Sequence, residues 1–180
     1  MQNARFLSSH ALFGGLSLEE LEHIMPLFRE ESYAGGRPIL TEDQVNDRIH
    51  FIVRGSVEVT KSCGRSGAEG ERLLARLGTG DTFGEMELID IQPCAATVRA
   101  AEECTVLSLS GTDLYRISKW NLKTYTMIVM NLAREISRRL RRMDQMVLSL
   151  FSDETAGAPA RAAAHGRMRP APEQRVDRQP

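Results

Sequence analysis

The stretch that decides the fold is Leu77-Gly78-Thr79-Gly80-Asp81-Thr82-Phe83-Gly84-Glu85-Met86-Glu87-Leu88-Ile89, followed by Pro93-Cys94-Ala95-Ala96-Thr97-Val98-Arg99-Ala100. It lies among six short apolar runs, at 37–40, 49–53, 57–60, 73–77, 97–100 and 105–109, which Gly, Asp and Asn separate. Short strands recurring every 8–12 residues or so read as an all-β sandwich or barrel. Gly55, between the second and third runs, suits a tight hairpin. Ser62-Cys63-Gly64-Arg65-Ser66-Gly67-Ala68-Glu69-Gly70 reads as a flexible hairpin loop whose glycines supply positive φ. It lacks the Lys-Ser/Thr ending of a phosphate loop.

On the N-terminal side, Ser17 can cap a short helix, and Glu20 three residues later completes a capping box. Leu18, Leu21, Ile24, Met25 and Phe28 recur at helical spacing, and Pro26 should end or kink that helix near Met25. On the C-terminal side the chain turns helical after Gly111. Asn121 is the predicted cap of a helix running to about residue 151. Along it Tyr125, Ile128, Leu132, Ile136, Leu140, Met143, Val147 and Leu150 form one apolar stripe. Some 31 helical residues extend roughly 46 Å, whereas a 120-residue body is only about 35 Å across. The helix should overhang and leave Leu140, Met143, Val147 and Leu150 in water. A parallel helix from a second copy is the expected cover, and a helix bent back onto its own body is the alternative.

Composition sets outer bounds. Of 180 residues, 42% are apolar and 26% charged, enough for a proper core. No run approaches the ~20 apolar residues of a membrane-spanning helix. The N-terminal MQNARFLSSHALFGG has neither a basic leader nor a long apolar stretch, so no secretory signal is expected. Cys63, Cys94 and Cys104 are odd in number and lack CxxC spacing, which argues against a disulfide framework or a four-cysteine zinc site and for a reducing cytoplasm. The net charge of −1 conceals an uneven distribution: residues 1–120 hold 12 Lys+Arg against 18 Asp+Glu, and residues 121–152 hold 6 against 2. An acidic body carries a basic C-terminal arm.

The quoted stretch resembles the phosphate-binding cassette of the cyclic-nucleotide-binding domain family, whose bacterial members include catabolite-activator-like (Crp-Fnr-like) sensors. Tyr33-Ala34-Gly35-Gly36-Arg37-Pro38-Ile39-Leu40 and Ile49-His50-Phe51-Ile52-Val53-Arg54-Gly55-Ser56-Val57-Glu58-Val59 look like that family's early strands, and the likeness covers roughly residues 10–150. It implies a mainly β fold with flanking helices, a β jelly roll (double-stranded β-helix) of eight strands followed by a long C-terminal helix. Residues 1–29 would be an N-terminal helical segment and 30–110 the jelly roll, with the cassette at 83–99. Residues 111–152 would be the hinge and dimerising helix. The tail 153–180, rich in Pro and Ala, is expected to be disordered. By the resemblance the ligand is a cyclic nucleotide, cAMP or cGMP. Phe83, Gly84, Glu85 and Met86 would open the cassette helix, Gly84 letting backbone approach the ligand and the free amides offering an anion site. Glu85 would accept a hydrogen bond from the ribose 2′-hydroxyl, and the Ala95 and Ala96 amides would face the phosphate. Residues around Met143 and Asp144 would reach the base.

Two residues depart from the pattern the resemblance implies. Where the family usually has the arginine that neutralises the phosphate, this chain has Cys94, and where a small residue is usual it has Glu87. Loss of a buried charge's partner costs about 2–5 kcal/mol, so nucleotide affinity should fall by roughly 30-fold to several thousand-fold. Arg99 lies at an odd offset from Cys94 and should point to the opposite face; Arg54 and Arg72 lie in or beside strands near the cassette and are candidate replacements. Cys94 is read as a small half-buried residue, with a redox-sensing thiolate as the alternative. His10, His23, His50 and His165 are scattered and read as structural or surface residues. Arg134, Arg138, Arg139, Arg141 and Arg142 form a basic helix face, read as solvated. No recognition-helix pattern follows it, so direct DNA binding is not expected. No nucleophile–base pair, metal constellation or paired acids is recognisable, so no enzyme is expected. These features describe a cytoplasmic regulatory module sensing a nucleotide-like ligand and signalling to an unknown protein partner. The alternatives are a ligand-independent interaction or scaffold module, and a transcription-regulator relative without its helix-turn-helix domain.

Overall fold

In the computed structural model, which describes residues 2–63 and 70–156, eight strands are present: β1 (Arg29–Tyr33), β2 (Pro38–Leu40), β3 (Arg48–Arg54), β4 (Ser56–Ser62), β5 (Glu71–Gly78), β6 (Thr82–Phe83), β7 (Thr97–Ala100) and β8 (Cys104–Ser110). They pair antiparallel in two four-stranded sheets, ordered β1-β8-β3-β6 and β2-β7-β4-β5. The first sheet is covered on both sides, which explains the almost unbroken burial of β3 and β8. Ile49, Phe51, Leu107 and Leu109 pack with the helices, whereas Ile52, Val106 and Cys104 meet Val57, Val98 and Ala100 of the second sheet. The second sheet has a polar outer face instead. There Glu58 pairs with Arg76 at 2.7 Å and Glu71 with Arg99 at 3.1 Å, so β4 turns Val57 and Val59 inward and Glu58 outward. The result is the jelly roll expected from the sequence.

Five α-helices flank the sheets: α1 (Gln2–Ser9), α2 (Leu18–Ile24), α3 (Glu85–Asp90), α4 (Gly111–Trp120) and α5 (Leu122–Ala156). Both halves of the capping box are formed, Ser17 N–H donating to Glu20 Oε2 at 2.7 Å and Glu20 N–H to Ser17 Oγ at 3.2 Å. Pro26 sits in the 3-10 turn that ends α2. Asn121 Oδ1 accepts from the Lys123 and Thr124 amides, capping α5. Buried Thr124 then donates to Glu20 Oε1 at 2.9 Å, and Asn131 Nδ2 donates to the Leu12 and Gly14 carbonyls. These bonds join α5 to the N-terminal helices.

The chain divides into two compact units, one ending at Arg138 and the other starting at Arg139. In the first, Tyr125, Ile128, Leu132 and Ile136 of the α5 stripe pack on the core. In the second, Leu140, Met143 and Val147 are exposed by 59%, 64% and 48%. Helix α5 extends to Ala156, five residues past the end expected from the sequence, so the first residues of the expected tail are helical. The rest of that tail, 157–180, and the loop residues 64–69 lie outside the described residues.

Gly55 corrects a sequence expectation. It does not turn a hairpin, because β3 and β4 belong to different sheets. It is a corner with φ +85°, and a Cβ there would lie 2.4 Å from the Glu103 carbonyl oxygen and 2.9 Å from Cys104 Cα. Strands β1 and β6 are absent from the apolar runs because Arg-Glu-Glu-Ser-Tyr has none and β6 is two residues long. Strands β4 and β5 do form a hairpin where the Ser62–Gly70 loop was expected, with Cys63 N–H donating to the Gly70 carbonyl. Gly55→Ala combines a left-handed backbone penalty of about 1–3 kcal/mol with a backbone clash, and should lower Tm by about 5 °C or more. Gly36→Ala, with φ +80° but nothing within 4 Å of its Cβ, should lower Tm clearly less. Equal melting of the two variants would contradict the corner's role.

Candidate functional site

The cassette starts where β6 hands over to α3. Phe83 is buried and stacks on His50 of β3, with ring centroids 4.8 Å apart and planes at 5°. Burial, with the Arg48 cation adding to it, lowers the His50 pKa to about 4, so the ring is neutral at physiological pH. Gly84 follows with φ +80°. A Cβ there would meet the Arg48 carbonyl oxygen at 2.6 Å and Asn46 Nδ2 at 2.7 Å. Asn46 Nδ2 donates to the Arg48 and Gly84 carbonyls, at 2.7 and 3.1 Å. The chain's own backbone and the Asn46 bridge by themselves already require a glycine here. Glu85 is buried at the start of α3, 4% exposed, whereas Met86 is exposed.

The loop after α3 brings three sequence-selected residues together. Cys94 is buried, 2% exposed, and tied by its backbone: its N–H donates to the Gln44 carbonyl at 2.8 Å and its carbonyl accepts from Asp43 N–H at 2.9 Å. Burial first, then the Glu87 carboxylate, pushes the Cys94 thiol above its ordinary range, the reverse of a reactive thiolate. Ala95 is exposed and Ala96 half-buried. The Ala95 amide is engaged: it donates to Glu87 Oε1 at 3.3 Å. A carboxylate of the chain itself thus sits on one of the two amides expected to face a phosphate.

Lys61 was not among the residues selected from the sequence. Its Nζ donates to the Ala95 carbonyl at 2.9 Å and stands 3.9 Å from Glu42 Oε1. Glu42 also accepts from Ser62 N–H, the main reason its carboxyl pKa is lowered. Lys61 is 34 residues from Ala95 in the chain, so no local motif signals the contact; only the β4–β7 pairing does. The other arginines sort clearly. Arg99 points outward onto Glu71, as its offset from Cys94 predicts, and Arg54 stands in the other sheet opposite Thr105. Arg72 stands opposite Lys61 on β5.

Other sequence-selected residues lie elsewhere. His10 Nδ1 accepts from Leu12 N–H and its ring meets Phe51, His23 stacks on Trp120, and His165 is outside the described residues. Arg134 donates to Asn131 and Arg138 to Glu135. Met143 and Asp144 belong to the unit that starts at Arg139. A cleft of about 330 Å³ lies between residues 45–47 and Glu87, Leu88 and Ile91, and none of Phe83–Met86 or Cys94–Ala96 lines it. Among the described residues no group of three His, Cys, Asp or Glu could hold a metal, and no helix is long and apolar enough to cross a membrane.

Residues 30–120 match the model of the cyclic nucleotide-binding domain. The chain is 32% identical over 145 residues to a cyclic AMP receptor protein of Thermus thermophilus, covering 81% of this chain and 63% of that protein. It therefore spans less than two thirds of that relative's length. The crystal structure of the Thermus thermophilus catabolite activator protein superposes with a TM-score of 0.66 at 30% identity, over 79% of this chain and 63% of that one. A cyclic nucleotide-binding domain from Methylobacillus flagellatus gives 0.72 at 24% identity over 82% of both chains, a likeness of fold. The cassette between β6 and β7, the two sheets and these matches place the chain in the cyclic nucleotide-binding domain family.

Proposed function

We propose that this domain is a cytoplasmic regulatory module that takes a nucleotide-like ligand in its jelly roll, binds cAMP and cGMP weakly, and relays occupancy through the helices after Gly111 to a protein partner. The observation that carries the reading is the Glu87 carboxylate on the Ala95 amide. A cyclic phosphate seated there must displace a carboxylate or lie beside it, and like charges on one donor repel. Buried Cys94 stands where the family resemblance puts a guanidinium, and a thiol kept protonated supplies no positive charge. The relatives' names, a cyclic AMP receptor among them, support a nucleotide-like ligand class.

Calorimetry with cAMP and cGMP tests this. Wild-type protein should bind weakly, and Glu87→Ala and Cys94→Arg should each tighten cAMP binding by about 10-fold or more. Circular dichroism checks that both variants are folded. Wild-type binding at low micromolar Kd, or weak binding that neither variant improves, would contradict the reading. Complete absence of binding in all three would instead support a ligand-independent interaction module.

The proposed assembly is a homodimer through α5, with a second copy covering the exposed Leu140, Met143 and Val147. Light scattering at tens of micromolar should give a dimer mass, and Leu140→Asp should shift it to monomer. A wild-type monomer under those conditions would remove this part of the proposal.

A further inference from the structure

The β4–β7 register holds a consequence beyond weakened affinity. With Val57 opposite Ala100 and Val59 opposite Val98, β4 turns residues 57 and 59 to the interior of the jelly roll, and Lys61 continues that side of the strand at its solvent-exposed end. Its bond to the Ala95 carbonyl fixes its ammonium at the cassette loop. Across the other ladder, Arg72 is the direct partner of Lys61, and directly opposed residues share a face. On the other side of the strands, buried Thr60 donates to Glu71, and Glu71 in turn accepts from Arg99. Two exposed cations thus stand on paired strands, Lys61 bonded to the cassette loop through the Ala95 carbonyl and Arg72 one strand further out. Among the described residues Arg72 forms no ion pair, and the carboxylate nearest Lys61 is Glu42, at 3.9 Å. Opposed like charges repel across a sheet, and an anion between them relieves that repulsion.

We propose that Lys61 and Arg72 together hold the phosphate of the ligand, as a cross-strand replacement for a cassette arginine. The inference rests on the jelly roll taking a nucleotide-like ligand, and it names the groups that recognise its anionic part. An ammonium point charge with a guanidinium from a neighbouring strand binds phosphate without the bidentate grip of a cassette arginine, in keeping with low affinity. Glu87 competes for the Ala95 amide, while the Ala96 amide, next in the chain, is the other one the family resemblance turns to the phosphate.

The test uses the full chain, with cAMP and, separately, inorganic phosphate as probes, followed by calorimetry and by the Ala96 amide resonance. Lys61→Gln removes the charge and leaves an N–H donor one atom shorter in reach. It should weaken cAMP binding by about 10- to 100-fold and abolish the phosphate-induced shift of Ala96. Arg72→Gln should weaken both, Lys61→Arg should restore both, and the salt dependence of binding should flatten in the glutamine variants. Unchanged cAMP affinity and an unchanged phosphate shift in both glutamine variants would overturn the inference and leave the proposed function standing. If wild-type protein ignores cAMP yet phosphate shifts Ala96 in a Lys61-dependent way, the anion site stands and the nucleotide reading falls. If neither probe moves Ala96 in wild-type protein, both fall.

Discussion

The register of β4 on β7 governs what the cassette can do. Thr60 opposite Thr97 brings Lys61 level with the loop that precedes β7, and the ammonium then bonds the Ala95 carbonyl at 2.9 Å. Shifting that pairing by one residue would turn Lys61 to the other face of the strand, since side chains alternate faces along a strand. The register is itself held by burial: Val57, Val59, Val98 and Ala100 fill the space between the sheets only in this alignment. The hydrophobic core and the chemistry of the loop are thus set by one ladder.

Around that ladder the cassette is closed by its own groups. Asn46 bridges the Arg48 and Gly84 carbonyls, Phe83 rests on neutral His50, and the Cys94 backbone is bonded to Asp43 and Gln44. Glu87 completes the set by engaging the Ala95 amide. An anion entering here meets a loop whose donors are partly satisfied, which supports weak binding and makes Glu87 the group whose movement matters.

Much of the fold was legible because local chemistry and tertiary structure agree. Ser17 and Glu20 form the capping box that their spacing announces, Pro26 ends α2, Asn121 caps α5, and the stripe from Tyr125 to Ile136 packs on the core. What was not legible depends on partners distant in the chain. Gly55 reads as a hairpin turn until the strands on either side prove to belong to different sheets, and β1 has no apolar run because its five residues are mostly polar. In the candidate site, Cys94, Ala95 and Ala96 are legible only as positions of a motif. The role of Glu87 was visible only as an added charge, and Lys61 was invisible because its contact is made across a ladder. Arg72, a candidate from the sequence, pairs with Lys61 across the β4–β5 ladder, a register that the sequence does not reveal.

The central claim is that one amide, that of Ala95, is contested between Glu87 and the anion of a ligand. A crystal structure of the wild-type chain with cAMP tests it most directly. The account predicts that wherever the cyclic phosphate reaches the Ala95 N–H, the Glu87 carboxylate has left its 3.3 Å contact. A phosphate seated on Ala95 and Ala96 with Glu87 still bonded to the same amide would contradict it.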